Sequence, residues 1–202
     1  MPAAVLAGIF ELYFPFLISM FSAEVAGMKK FRIIHHYDIG IELFEEICFN
    51  PYPEDQANLE NLEHLKTRDE FENIDDGRYI RSRARVTAVA NLPAAVRVFV
   101  KPEMLGWIEE AVFDKQQHFW EWNILPYHFR EHITCRGRMA LVPRDGGMTR
   151  VTEGYVDLRF PVLGDLMEIF VVDGLKKSLD HEYILFKDCI QRRLDRKNSC
   201  NK

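Results

Sequence analysis

Few side chains in this chain can move protons or hold a metal, so their placement carries the functional reading. The candidates are His35, Tyr37, Glu109, His118, His181 and Glu182. Alternation along Lys30–Tyr37 puts Phe31, Ile33, His35 and Tyr37 on one strand face. His35 then points inward, either as an acid–base group or as a neutral, hydrogen-bonded core histidine. Glu182 lies beside Tyr183 on an apolar helix stripe, where it either reaches an interior cavity or sits at a wet rim. His181-Glu182 is no zinc-protease motif, because no second histidine follows at the required spacing. His128 and His132 are four apart, but in a loop-to-strand segment, where that spacing does not make a metal pair. There is no Ser-His-Asp arrangement, phosphate loop or dinucleotide fingerprint. The cysteines Cys48, Cys135, Cys189 and Cys200 are scattered without metal-ligand spacing. Reduced thiols in a cytoplasmic protein are expected, with no metal and no cofactor.

These groups must be positioned by a chain of 202 residues, 48% of them hydrophobic, enough for one domain with a sizeable core. The net charge of −5 gives no basic excess for nucleic acid. Residues 1–27 stand apart. They hold no Lys or Arg, and Ala3–Phe21 is nearly all apolar apart from Glu11 and Ser19. A secretory signal wants a positive start and a small-residue cleavage site. A membrane span wants about 20 apolar residues, and Glu11 and Pro15 count against one. Three readings stand: an extension upstream of a natural start at Met28, a membrane or partner-binding segment giving peripheral membrane contact, or a signal peptide. The domain itself is expected over 28–197, with a short polar tail at 198–202.

Within that domain the elements follow from pattern. Lys30–Tyr37 is a strand. Asp38 is placed to cap a short helix, Ile39–Phe49, which Pro51-Tyr-Pro53 breaks. Glu54–Lys66 reads as a second helix, with Leu59, Leu62 and Leu65 three apart. Thr67–Asp75 and Arg78–Ala90 flank Asp76-Gly77, a strong hairpin signature. A loop of those two residues sets Glu72 opposite Arg81, Glu70 opposite Arg83 and Phe71 opposite Ser82. The stripe Arg81, Arg83, Arg85 is then the solvent face of a hairpin. Leu105–Asp114 and His118–Leu125 form another strand pair around Lys115-Gln-Gln117. A last hairpin runs His132–Val142 and Met148–Phe160. With Pro143 opposite Met148, Met139 faces Thr152, Cys135 faces Val156 and Ile133 faces Leu158 on the apolar side, and Arg138 faces Glu153 on the other.

The C-terminal stretch carries Leu163, Leu166, Met167, Phe170, Val171, Gly174, Leu175, Leu179, Tyr183, Phe186 and Ile190 at steps of three and four. A single helix to about Arg196 follows, a rod of ~50 Å. Asp165 and Glu168 fall on its polar side. Gly174 in mid-helix costs about 1 kcal/mol relative to Ala; close packing or room for a ligand would explain it. Trp120 and Trp122 lie on the strand face opposite Phe119, and one face of that strand needs a cover.

The order is strand, two short helices, six strands, one long helix. It resembles the helix-grip fold of the START-like (SRPBCC) superfamily, which includes lipid-transfer START domains, the birch-pollen-allergen family, polyketide cyclases and aromatases, and activators of a chaperone ATPase. Gly147-Met-Thr-Arg-Val-Thr-Glu-Gly154, Phe160-Pro-Val-Leu-Gly164, Glu168, Gly174-Leu-Lys-Lys-Ser-Leu179 and Glu182 look most like an uncharacterised bacterial family within it. The resemblance implies an α+β fold, a seven-stranded curved antiparallel sheet around a long C-terminal helix. It also implies a mostly apolar cavity for a lipid, sterol or polyketide-like molecule. Lining residues for such a ligand are His35, Tyr37, Phe71, Met139, Thr152, Val156, Phe170, Gly174 and Glu182. Two other functions keep different residues in play: a cyclase-type enzyme using His35 or Glu182, and an interaction module using the Trp120/Trp122 face. Fold alone does not decide among them.

Overall fold

The computed structural model describes residues 28–55, 65–89, 97–98, 100–160 and 164–200. Seven strands form one antiparallel sheet: β1 (Lys29–Tyr37), β2 (Leu65–Asp75), β3 (Tyr79–Ala88), β4 (Gly106–Asp114), β5 (Phe119–Pro126), β6 (Ile133–Arg144) and β7 (Gly147–Leu158). Their spatial order is β1-β7-β6-β5-β4-β3-β2, a meander from β2 to β7 closed by β1 beside β7. Helix α1 (Ile41–Phe49) follows β1, and α2 (Gly164–Cys200) ends the described chain. This is the curved sheet and single long helix that the residue pattern predicts. Residues 1–27 and most of the predicted second helix lie outside the described residues; Glu54 and Asp55 are helical, but Leu65 and Lys66, expected to close that helix, open β2 instead. The helix α2 continues through Cys200, past residue 197. Among the described residues no helix is long and apolar enough to cross a membrane.

The last hairpin has the predicted register throughout: Pro143 faces Met148, Met139 faces Thr152, Cys135 faces Val156 and Ile133 faces Leu158. Its turn is Asp145-Gly146, with Gly146 at φ 76°, a backbone that glycine adopts without Cβ strain. The β2–β3 hairpin departs from prediction. Its turn centres on Gly77-Arg78, not Asp76-Gly77. The Asp76 amide donates to the Tyr79 carbonyl (3.0 Å), and the Asp76 carboxylate accepts from the Arg78 and Tyr79 amides (3.1 and 2.7 Å). Glu72 therefore faces Arg83, and beyond a bulge at Phe71 Asp69 faces Arg85. Between the turn and Phe71 the shift is two residues and keeps each side chain's face; beyond the bulge it is one, and Arg81, Arg83 and Arg85 of β3 stay on the solvent face.

Helix α1 also differs at its start. Gly40, not Asp38, occupies the N-cap, and no side chain caps the helix. Asp38 instead accepts from Arg144 at 2.6 Å.

The inner face of the sheet can be followed across the register. It runs through Phe31, Ile33, His35 and Tyr37 on β1 and through Met148, Arg150, Thr152, Gly154, Val156 and Leu158 on β7. It continues through Cys135, Gly137, Met139 and Leu141 on β6 and Trp120, Trp122 and Ile124 on β5. On β4 and β3 it presents Glu109, Ala111 and Phe113, then Ser82, Ala84 and Val86. The helix α2 packs on β7 and β1. Val171, Val172 and Leu175 cover Cys135, Val156 and Leu158, while Tyr183, Phe186, Cys189 and Ile190 join Tyr37, Phe44, Ile47, Leu141 and Met148 in the main core.

Three polar anchors pin this helix along its length. Near its start Glu168 is fully buried and accepts from the Leu158 amide at 2.9 Å, which corrects its expected place on the polar side of the rod. In the middle Arg150 reaches Glu182. At the far end Arg192 reaches Asp55 (2.8 Å), and Arg193 reaches Glu46 (3.0 Å) and the Asn50 carbonyl (2.8 Å). The Tyr52 ring lies under the guanidinium groups of Arg193 and Arg196, at 3.7 and 4.2 Å.

The paired tryptophans also share the inner face. Trp120 stacks on Phe113 and Phe49 (4.1 and 5.9 Å). Trp122 stacks on Phe31 at 6.1 Å across the facing pair Gly137–Gly154. The chain's own rings partly cover them, and both stay half-buried.

Candidate ligand-binding site

The chemistry-bearing residues converge where α2 crosses β1 and β7. Arg150, fully buried, sits on the inner row of β7 between Met148 and Thr152. Its Nη1 donates to Glu182 Oε1 (3.1 Å), and its Nη2 donates to His35 Nδ1 (3.1 Å) and to the Leu179 carbonyl (3.3 Å). A guanidinium cannot give up its proton here. His35 Nδ1 must therefore be the acceptor, so Nε2 carries the proton and donates to Asp180 Oδ1 at 2.9 Å. The imidazole stacks on the Tyr183 ring at 4.5 Å and 12°, and the Tyr183 hydroxyl donates to the His36 carbonyl at 2.9 Å. Tyr37 lies against Phe44 and Tyr183 (5.0 and 5.1 Å), its ring 5.8 Å from the Arg150 Cζ.

Burial is the main influence on these groups, and partners decide the outcome. Burial, the largest single influence, pulls the Arg150 pKa down; the Glu182 carboxylate, Tyr37 and Cys48 together outweigh it and hold the guanidinium above its usual value. Burial pushes the Tyr37 phenol well above its usual value. Burial lowers His35 below the ordinary 6.5, helped by the Arg150 charge and opposed by the bond to Asp180.

A histidine whose folded pKa is depressed is harder to protonate folded than unfolded. Its contribution to stability is complete above pH ~6.5 and falls as the pH drops from there toward the folded pKa. Histidine NMR should show one Nε2–H tautomer for His35, titrating below the ordinary 6.5. Asp180→Asn should lower its pKa further. A His35 that titrates above 6.5 would contradict this arrangement.

The predicted lining residues do not share one environment. His35, Tyr37, Thr152 and Val156 lie buried on the inner face, and Glu182 is held by Arg150. Met139 is half-buried beside Thr152 on the same face. Phe170 packs with Val100, Met104 and Leu105. Gly174 is exposed, and a Cβ there would meet nothing within 4 Å, so close packing does not explain it. Phe71 is a correction. The bulge turns it to the outer face, where the guanidinium carbons of Arg83 and Arg85 lie 5.4 and 4.3 Å from its ring.

The other acid–base candidates are dispersed. Glu109 accepts from Arg68 at 3.1 Å at the β2 end of the inner face, and His118 Nδ1 lies 2.6 Å from Glu45 Oε1. Both ring nitrogens of His35 are engaged, which leaves none free for proton transfer. Among the described residues no cluster of His, Cys, Asp and Glu could hold a metal ion. Burial pushes the Cys135 thiol up to about 12 and Cys189 to about 11, so neither is a reactive thiolate.

The inner face is covered unevenly. On β1 and β7, beneath α2, Ile33, His35, Tyr37, Met148, Arg150, Thr152, Val156 and Leu158 are all buried. Away from the helix the cover is mixed: Ala84, Val86 and Phe113 are buried, whereas Ser82, Glu109, Ala111, Trp122, Ile124 and Met139 are only half-buried. Ser82 and Ala111 face each other and are both small. A depression of about 830 Å³ lies among the outer-face residues Lys30, Arg32, Glu121, Arg136, Arg138 and Glu153, and Phe31 and Trp122 of the inner face also line it. Glu153 pairs with both Arg32 and Arg138 there, at 3.1 and 3.3 Å.

A seven-stranded antiparallel sheet gripping one long C-terminal helix is the helix-grip architecture, and solved structures share it. The crystal structure of TTHA0849 from Thermus thermophilus is 14% identical, covering 82% of this chain and 99% of its own, with a TM-score of 0.58. The crystal structure of Ara h 8.0201 is 13% identical, covering 80% of this chain and 99% of its own, with a TM-score of 0.53. At such identities the likeness establishes the fold. No family model matches the sequence, and no curated protein matches it.

Proposed function

We propose that this chain binds a small hydrophobic molecule in the space between α2 and the inner face of β3–β6. The observation that carries the reading is the uneven cover of that face. The helix seals most of β1 and β7, while farther across, among buried Ala84, Val86 and Phe113, the side chains of Ser82, Ala111, Trp122 and Met139 stay partly accessible. Such a surface recovers apolar burial energy, about 25 cal/mol per Å², only when something fills it. The shared architecture with solved helix-grip structures supports the same reading.

An Ala111→Trp chain tests it, because the indole would occupy the site from the centre of β4. Uptake of 2-decanone, followed by native mass spectrometry and calorimetry, is expected to weaken at least about tenfold, ~1.4 kcal/mol. The unfolding midpoint should hold. Unchanged uptake in a folded variant would refute the placement. A catalytic reading gains nothing from His35, whose nitrogens are committed, or from a Glu182 tied to Arg150.

A further inference from the structure

We infer that Tyr37, Arg150 and Thr152 form a polar subsite at the β7 end of this site, which receives a neutral oxygen acceptor, such as a ketone or ester carbonyl, on the hydrophobic ligand. The inference rests on the binding reading above and adds the ligand's polar chemistry to it. Three buried donors carry it. The Tyr37 hydroxyl, Arg150 Nε and Thr152 Oγ1 each find no hydrogen-bond partner among the described residues. All three residues are at most 3% exposed. Buried polar atoms are almost always paired, because an unpaired one forfeits its hydration. Of the eight such atoms among the described residues, three fall together: Arg150 and Thr152 alternate on one strand face, ~7 Å apart, and Tyr37 lies under the guanidinium. Thr152 faces half-buried Met139 on β6, so the row borders the accessible part of the inner face.

Charge decides the ligand class. The cation of Arg150 is already met by Glu182, and His35 is neutral beside the Asp180 carboxylate. The cluster therefore has no uncompensated positive charge for a carboxylate. Its remaining capacity is to donate, and a neutral acceptor oxygen takes such donors without bringing a charge.

The unpaired hydroxyls make a second signature. A hydroxyl kept for a ligand costs stability in the ligand-free chain, so Tyr37→Phe and Thr152→Val should fold at least as stably as the parent. A hydroxyl with a structural partner would give the opposite.

The test compares the full chain with decane, 2-decanone and decanoate as probes. The parent should prefer 2-decanone over decane by at least about tenfold beyond their difference in hydrophobicity. A ¹³C label in the carbonyl should report hydrogen bonding when bound. That preference should fall about threefold or more in each of Tyr37→Phe and Thr152→Val. Equal preference for ketone and alkane, or a preference untouched by both variants, overturns the subsite while leaving the binding reading intact. Tighter binding of decanoate than of 2-decanone overturns the neutral assignment. Uptake of none of the three overturns the binding reading and the subsite together.

Discussion

A Glu182→Ala chain is expected to lose about 3 kcal/mol of unfolding free energy, measured by urea denaturation. Arg150 has no exposed surface, and Glu182 is its carboxylate partner. Without that partner the guanidinium keeps its charge, since its pKa lies far above any working pH. What remains to it is a neutral imidazole nitrogen and a helix carbonyl. Breaking a buried pair so that one charge stays behind costs about 3–5 kcal/mol. The lower end applies here because Glu182 is 30% exposed and water can follow its removal. The reverse truncation, Arg150→Met, leaves a carboxylate that can turn to solvent, so it should cost less. The double variant Arg150→Met/Glu182→Leu should recover most of the loss, because both charges leave together. A Glu182→Ala chain within about 1 kcal/mol of the parent would mean that the pair does not hold the helix.

How much of this site is legible in the sequence depends on what each signal encodes. The final hairpin is readable to the residue, because an apolar and a charged face alternate along both strands and a one-residue slip would invert them. The β2–β3 register is not. Its turn is set by the Asp76 side chain gripping two amides, and the bulge at Phe71 changes parity midway through the strand. Neither feature leaves a mark on the hydrophobic pattern, which therefore places Phe71 on the wrong face. The central residue of the site, Arg150, stands in plain view as a charge in the row Met148, Thr152, Val156, Leu158. A charged residue on a buried row is itself the signal, because it must have partners on whatever covers that row. Glu168 is misplaced for the converse reason. Helical periodicity puts it on the wet side, yet it sits beside an orphan amide at the end of β7, and that relation exists only in three dimensions.

The glycine pair beneath Trp122 gives the second large effect. Gly137→Ala is expected to cost about 3 kcal/mol, and Gly154→Ala less, for different reasons. A Cβ on Gly137 would meet Trp122 Cζ2 at 2.5 Å and would also fall on the Glu153 carbonyl oxygen, so even with the ring moved aside strands β6 and β7 would have to separate. A Cβ on Gly154 would meet ring atoms only: Trp122 Cζ2 at 2.7 Å, Phe31 Cζ at 2.8 Å and Trp122 Cη2 at 2.9 Å. Rings can rotate and a strand pair cannot. Trp122→Leu should therefore restore most of the stability lost in Gly154→Ala and little of that lost in Gly137→Ala. Double-mutant cycles in urea separate the two: Trp122→Leu should remove most of the cost at Gly154, a coupling of at least about 1 kcal/mol, whereas at Gly137 the larger part of the cost, the clash with the Glu153 carbonyl, should persist. Trp122 is also one of the half-buried residues beside the proposed ligand, so the same cycle carries a functional consequence. Displacing its ring in Gly154→Ala should change 2-decanone affinity, and a change absent there would place the ligand away from Trp122, toward the Ser82–Ala111 pair.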